Sequence, residues 1–208
     1  MRGGADTSRW ADQIRAALAE RAGGPRGTVS YDDAVALVCE ATGWPVGHVW
    51  AQTATGWRSS GAWYAATGGS GDVADSLGAL RETTAITDLG SGRGIVAAVL
   101  HLESCRFLPG LEGLGSPFRQ AHAAALRLSG VVGVPVHSLV AGHRKVTAVL
   151  EFVTAGEVEP EGGLAESLLE VASRSRRRTA RKPTPVKQPM PAQRSKSLDV
   201  EIPDNLAG

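Results

Sequence analysis

The stretch DLGSGRGIV, residues 88 to 96, sets Gly90, Gly92 and Gly94 around Arg93, directly ahead of an apolar helical run. Glycines spaced this way free backbone N–H groups at a helix N-terminus, where phosphates and carboxylates are cradled, and Arg93 adds charge. The pattern matches neither the P-loop nor the dinucleotide fingerprint, and no clear strand precedes it, so a tight loop-to-helix turn is the competing reading. Five histidines, His48, His101, His122, His137 and His143, show no HxxxH pairing and no interleaved carboxylate, which argues against a metal centre. Cys39 and Cys105 lie far apart without CxxC spacing and read as reduced thiols rather than a disulfide or zinc framework. No GxSxG elbow and no suggestively spaced acid–base pair is present, so the sequence points to no enzyme and to no cofactor.

Aromatic residues raise a different chemistry, that of a binding wall. GWPVGHVWAQTATGWRSSGAWYAA, residues 43 to 66, holds Trp44, Trp50, Trp57 and Trp63, four of the chain's five tryptophans. Two alternating runs flank TATG, a β-hairpin signal, and side chains two apart on a strand share a face. His48 and Trp50 therefore point one way and Val49 the other. Trp44, held between Gly43 and Pro45, suits a fixed helix-to-strand corner. Trp50 and Trp63 can fill a core or line a pocket.

Elements must position these residues. The 208 residues suit one domain with tails, and an apolar share of 42% with 21% charged residues is that of an ordinary soluble protein. A net charge of +1 argues against the whole chain binding nucleic acid or a membrane surface. No apolar run reaches the roughly 18 residues of a membrane span, and the N-terminus lacks a secretory apolar segment, so a cytoplasmic protein is expected. TSRWADQIRAALAERAGG predicts a helix capped at Thr7 or Ser8, with Trp10, Ile14, Leu18 and Arg21 on one face and a stop at Gly23-Gly24. TVSYDDAVALVCEATGW predicts a second helix capped by Ser30, with Ala34, Leu37, Val38 and Ala41 buried and Gly43 closing it. A short helix, a helix from about Gly94, an extended CRFLPGLEG and a helix capped by Ser116 follow. Two strong strands around Ala141-Gly142-His143 form a second hairpin, and LAESLLEVASRSR closes the ordered part as a helix. Strands and helices are grouped rather than alternating, which favours an α+β fold over a doubly wound parallel sheet.

The order of these elements resembles a GAF domain of bacterial signalling proteins. The resemblance runs over residues 28 to 175, through ATGWPVGHVW, the Trp-Tyr of SSGAWYAA, GSGRGIVAAV, FRQAHAAALRLSGVVGVPV and TAVLEFVT. It implies a central antiparallel sheet of five or six strands. Terminal helices would cover one face, and a small-molecule pocket would lie on the other under loops and a helix. Residues 1 to 27 form an N-terminal helix and linker on this reading, and residues 176 to 208 a basic, proline-rich disordered tail. The ligand-binding residues it implies are Trp50, Trp63, Phe107, Phe118 and His122 as walls, with Arg93 and Arg119 as polar contacts. Cys105 precedes Arg106 rather than a histidine, unlike bilin-attaching relatives, and the Asn-Lys signature of cyclic-nucleotide binders is missing.

The function implied is a non-catalytic sensor or regulator in intracellular signalling. It would bind an unidentified small molecule or partner and act through helices shared by a homodimer, whose interface would use Trp10, Ile14 and Leu18 with Leu164, Leu168, Leu169 and Val171. The alternative is an interaction or scaffold protein with a degenerate pocket. That protein would act through the cation-dense RSRRRTARK segment, which suits an acidic partner. Thr179, Ser195 and Ser197 follow basic residues and are candidate phosphorylation sites.

Overall fold

The computed structural model describes residues 4–24, 27–66, 71–159 and 163–177. In chain order the elements are α1 (Gly4–Arg21), β1 (Val29–Ser30), α2 (Tyr31–Thr42), β2 (Val46–Thr53), β3 (Gly56–Ala65), α3 (Asp72–Ile86), α4 (Gly94–Leu102) and β4 (Arg106–Pro109). A 3₁₀ turn (Glu112–Leu114), α5 (Pro117–Ala125), β5 (Gly130–Val140), β6 (His143–Thr154), α6 (Leu164–Arg174) and β7 (Ser175–Arg176) complete the set. Five strands form one antiparallel sheet in the order β3-β2-β6-β5-β4, while β1 and β7 pair in parallel apart from it. The expected α+β architecture is present. No helix among the described residues is long and apolar enough to cross a membrane.

Local signals place the first elements. Ser30 Oγ accepts the Asp33 N–H at 3.1 Å and Gly43 closes α2 in the left-handed region, as the sequence predicts. α1 differs: it starts at Gly4, so Thr7 is no cap but a buried residue in the helix, 3% exposed. Because Thr7 faces inward, packing extends the helix past the point where local capping chemistry would start it.

The alternation of each strand sorts its residues between two cores. On one face, Ile14 and Leu18 of α1, Leu37 and Val38 of α2, and Leu164, Leu168 and Val171 of α6 pack over Val49, Val134, Leu150 and Phe152. Trp44 belongs here, its ring edge-on to Trp10 at 5.9 Å and tilted on Phe152 at 5.4 Å. It is the corner residue its Gly-Trp-Pro setting suggested. On the other face, Leu80 of α3, Ile95, Val96 and Val99 of α4, and Ala123 of α5 cover Val46, Trp50, Trp57, Val149 and Val153. The approach of α4 explains Gly133 in mid-strand: a Cβ there would stand 2.4 Å from the Ile95 side chain.

One expectation changes at the terminal helices. Of the residues expected at the homodimer face, Ile14, Leu18, Leu164, Leu168 and Val171 are at most 1% exposed within this single chain, while Trp10 and Leu169 are half-buried. A terminal helix with a narrow apolar stripe finds its cover either in its own chain or in a second copy, and here α1, α2 and α6 supply that cover for one another. Leu168→Ala should therefore cost about 2–5 kcal/mol of unfolding free energy as an internal cavity. Urea unfolding at several protein concentrations checks this: a midpoint that moves with concentration would show that the stripe is shared with a second copy.

Candidate functional site

The hairpin of β2 and β3 carries an irregularity that shapes the second face. His48 pairs with Trp63 and Trp50 with Ser59, so Ser60, Gly61 and Ala62 bulge opposite Val49 alone. His48 also pairs with Glu151 on β6, so Trp63, His48 and Glu151 form one row across the sheet. The His48 ring stands edge-on to Trp50 at 4.7 Å and tilted to Trp63 at 5.7 Å. Its Nε2 shares a hydrogen bond of 2.9 Å with Ser59 Oγ.

From the cover, α5 lowers Arg119 into this row. The side chain is only 1% exposed, yet its donors are well used. Nε donates to Thr84 Oγ1 of α3 at 2.9 Å, and Nη1 donates to the Leu114 carbonyl of the 3₁₀ turn at 2.6 Å. Both terminal nitrogens donate to the Glu151 carboxylate, Nη1 to Oε1 at 3.3 Å and Nη2 to Oε2. The planar guanidinium also lies over the Trp50 ring, 5.0 Å from its centroid. One buried cation thus ties α3, α5, the 3₁₀ turn and the sheet together.

A five-stranded antiparallel sheet with terminal helices on one face and short helices on the other has counterparts among solved structures. The GAF domain of an Acinetobacter phosphoenolpyruvate-protein phosphotransferase superposes with a TM-score of 0.50 at 16% identity, over 79% of this chain and 88% of that one. A Burkholderia vietnamiensis protein described as a GAF sensor gives 0.50 at 12% identity, over 82% and 95%. A structure described simply as the GAF domain gives 0.52 at 12% identity, over 81% and 92%. The fold is that of a GAF domain. No family model and no curated protein matches the sequence.

Of the residues that the GAF resemblance put at a pocket, Trp50, Trp63 and Arg119 come together on the second face. Trp50 is fully buried and Trp63 half-buried. Phe107, Phe118 and Arg93 do not join them. Phe107 pairs with Val132 and packs into the core under the terminal helices, one strand position out of phase with the expected wall. Phe118 is 74% exposed, because α5 turns Arg119 and Ala123 inward rather than Phe118. His122 is half-buried on α5, and Arg93 is exposed at the start of α4. The glycines beside Arg93 have a packing role: a Cβ on Gly94, at φ 55°, would lie 2.2 Å from the Gly113 carbonyl oxygen. Thr179, Ser195 and Ser197 lie outside the described residues.

Sequence reasoning missed Glu151, Thr84 and Ser59, and it gave His48 no role here. The available signal was Glu151 itself, one carboxylate inside the apolar run TAVLEFVT, where only a buried partner makes a charge tolerable. Burial pushes the Glu151 carboxyl up, but the charge and hydrogen bonds of Arg119, with a smaller pull from His48, leave it at about 2. Burial holds His48 below its ordinary value, partly offset by Glu151 and reinforced by Arg119. Ser59, His48 and Glu151 follow the order of a serine–histidine–carboxylate relay. Yet His48 Nδ1 stands 3.7 Å from Glu151 Oε2, beyond hydrogen-bond reach, and the carboxylate is engaged by Arg119. The thiols are protonated at neutral pH, since burial raises both, Cys105 to about 12. Among the described residues no three His, Cys, Asp or Glu side chains stand together as metal ligands.

Two outcomes follow. Arg119→Met alone strands Glu151 in the apolar layer and should cost about 3–5 kcal/mol, whereas Arg119→Met with Glu151→Leu should recover most of that loss. Strictly additive losses in urea unfolding would show that the two side chains are not coupled. Acid should destabilise the fold through both groups, since each folded pKa lies below its unfolded value. Stability should erode below about 6.5 as His48 gains a proton, and again from about 4.5 towards about 2 as Glu151 does. Thermal melts check this, and a melting temperature that rises on acidification through the upper window would mean that His48 is charged in the fold.

Proposed function

We propose that this chain is a non-catalytic sensory or regulatory GAF domain of intracellular signalling, whose moving part is the cover of α3, the 3₁₀ turn and α5. The observation that carries the reading is the Arg119 anchor. It joins three separate cover elements to Glu151 at a single point over the Trp50 ring. A small molecule or partner that engages the cover beside half-buried Trp63 changes the geometry in which Arg119 is held, and the sheet conveys that change to α1 and α6 on its opposite face. Most of the apolar stripe expected at a homodimer face is covered within one chain, so the proposal needs no second copy.

A second reading has its own support. Trp50, Leu80, Ile95, Leu114 and Arg119 are all 0–1% exposed, so side chains of the protein itself fill the face where a ligand would sit. On that reading the domain is a scaffold, and the basic segment after α6 recruits an acidic partner. Tryptophan emission and thermal shift across a panel of metabolites and nucleotides separate the two, run on the full chain and on a chain ending at Arg177. Stabilisation of both forms by one compound, with a change in emission, supports sensing. No response from any compound, with a co-purifying partner lost on truncation, sinks sensing in favour of the scaffold.

A further inference from the structure

β4 pairs with β5 only from Gly130 to Gly133, so beyond Gly133 the outer edge of β5 has no strand partner among the described residues. On its other side β5 stays paired with β6 as far as the turn at Ala141-Gly142. The open edge is where an unusual surface gathers. His137, Ser138 and Leu139 of β5, Arg144 of β6 and Arg176 of β7 line a groove of about 390 Å³. Leu139 is 79% exposed and the neighbouring Val140 42% exposed. Arg144, Lys145 and Arg176 are exposed around them. Arg144 reaches back to His137 Nδ1 at 3.2 Å, and Glu103 stands 3.8 Å from the other ring nitrogen.

These features belong together chemically. An unpaired strand edge presents backbone N–H and C=O groups at the spacing of an extended peptide, and adding a strand is one recurring way such an edge is used. Natural edges are usually closed by charged or proline residues within the strand. Pro135 closes the edge next to Gly133 in this way, but past it the strand offers His137, Ser138, Leu139 and Val140, and the cations sit beside it on β6 and β7. An occupant must then be extended, apolar at alternate positions to cover Leu139, and acidic between them to meet Lys145, which pairs with Ser138 and shares its face. A flat lipid surface meets the charges but leaves the edge N–H and C=O groups unpaired.

We infer that the outer edge of β5 at His137–Leu139 is a docking site for an acidic, extended peptide segment of a partner protein, which adds to the sheet as a sixth strand. Lys145 holds its carboxylates, Arg144 stays beside His137 on the Leu139 face, and Arg176 closes the far side of the groove. The site lies at the hairpin end, away from the Arg119 anchor, and does not depend on the sensory reading.

The test uses the full-length protein and a fluorescein-labelled octapeptide of alternating valine and glutamate, followed by anisotropy. Binding should be saturable and weaken with salt. It should fall at least tenfold in the Arg144→Glu, Lys145→Glu double variant, whose melting temperature should stay that of the parent because both side chains are exposed. The same peptide N-methylated at alternate backbone nitrogens keeps its charge but cannot pair as a strand, and it too should lose at least tenfold. Equal binding by parent and variant would place the peptide elsewhere, on the basic segment that follows α6, and overturn the assignment. Undiminished binding of the N-methylated peptide would reduce the site to charge attraction alone. Phosphatidylserine vesicles that bind through Arg144 and Lys145 while the peptide does not would overturn it in favour of lipid.

Discussion

One ion pair decides how this sheet can be covered. Removing Arg119 and Glu151 from water costs several kcal/mol for each charge, and only good geometry with further hydrogen bonds offsets it. The chain supplies that geometry from four separate places: the bidentate carboxylate of β6, the Thr84 hydroxyl of α3, the Leu114 carbonyl and the face of Trp50. Each of those groups must be where it is, or a charge is left uncompensated in an apolar layer. The positions of α3, α5 and the 3₁₀ turn are thereby fixed relative to the strands more tightly than aliphatic packing alone would fix them.

How much of this was legible from residues varies with the kind of signal. Caps and periodicity speak locally, and they placed α2 and both hairpins correctly: Ser30 binds the Asp33 amide, Gly43 turns left-handed, and Trp50 shares a face with Trp63. α5 was harder to orient. Its sequence PFRQAHAAA has one aromatic and several alanines, so hydrophobicity favoured turning Phe118 inward. The buried face carries Arg119, a choice that makes sense only once Glu151 is known to wait beneath it. Phe107 failed for a smaller reason. In a four-residue strand a shift of one position exchanges the two faces, and nothing in CRFLPG pins the register.

The glycine-rich loop shows the same limit from another side. Gly90, Gly92 and Gly94 looked like an anion cradle because conformational freedom at a helix start serves that purpose. In the fold that freedom lets the start of α4 approach the backbone of the 3₁₀ turn, where Gly94 meets Gly113. A glycine permits close approach of any neighbour, so the residue type alone does not say whether the neighbour is a phosphate or a carbonyl.

The parallel pair of β1 and β7 has a consequence for the order in which the molecule assembles. It joins Val29 to Ser175 and Ser30 to Arg176, two short contacts that close a loop containing nearly all of the described fold. Loop closure costs entropy that grows with the logarithm of loop length, and two residue pairs return little against it. The pair can form only after α1, α2 and α6 have brought the ends together. Two residue pairs hold it, so it can open while the five-stranded sheet stays intact, a seam that frees Ser175 and Arg176 from Val29 and Ser30.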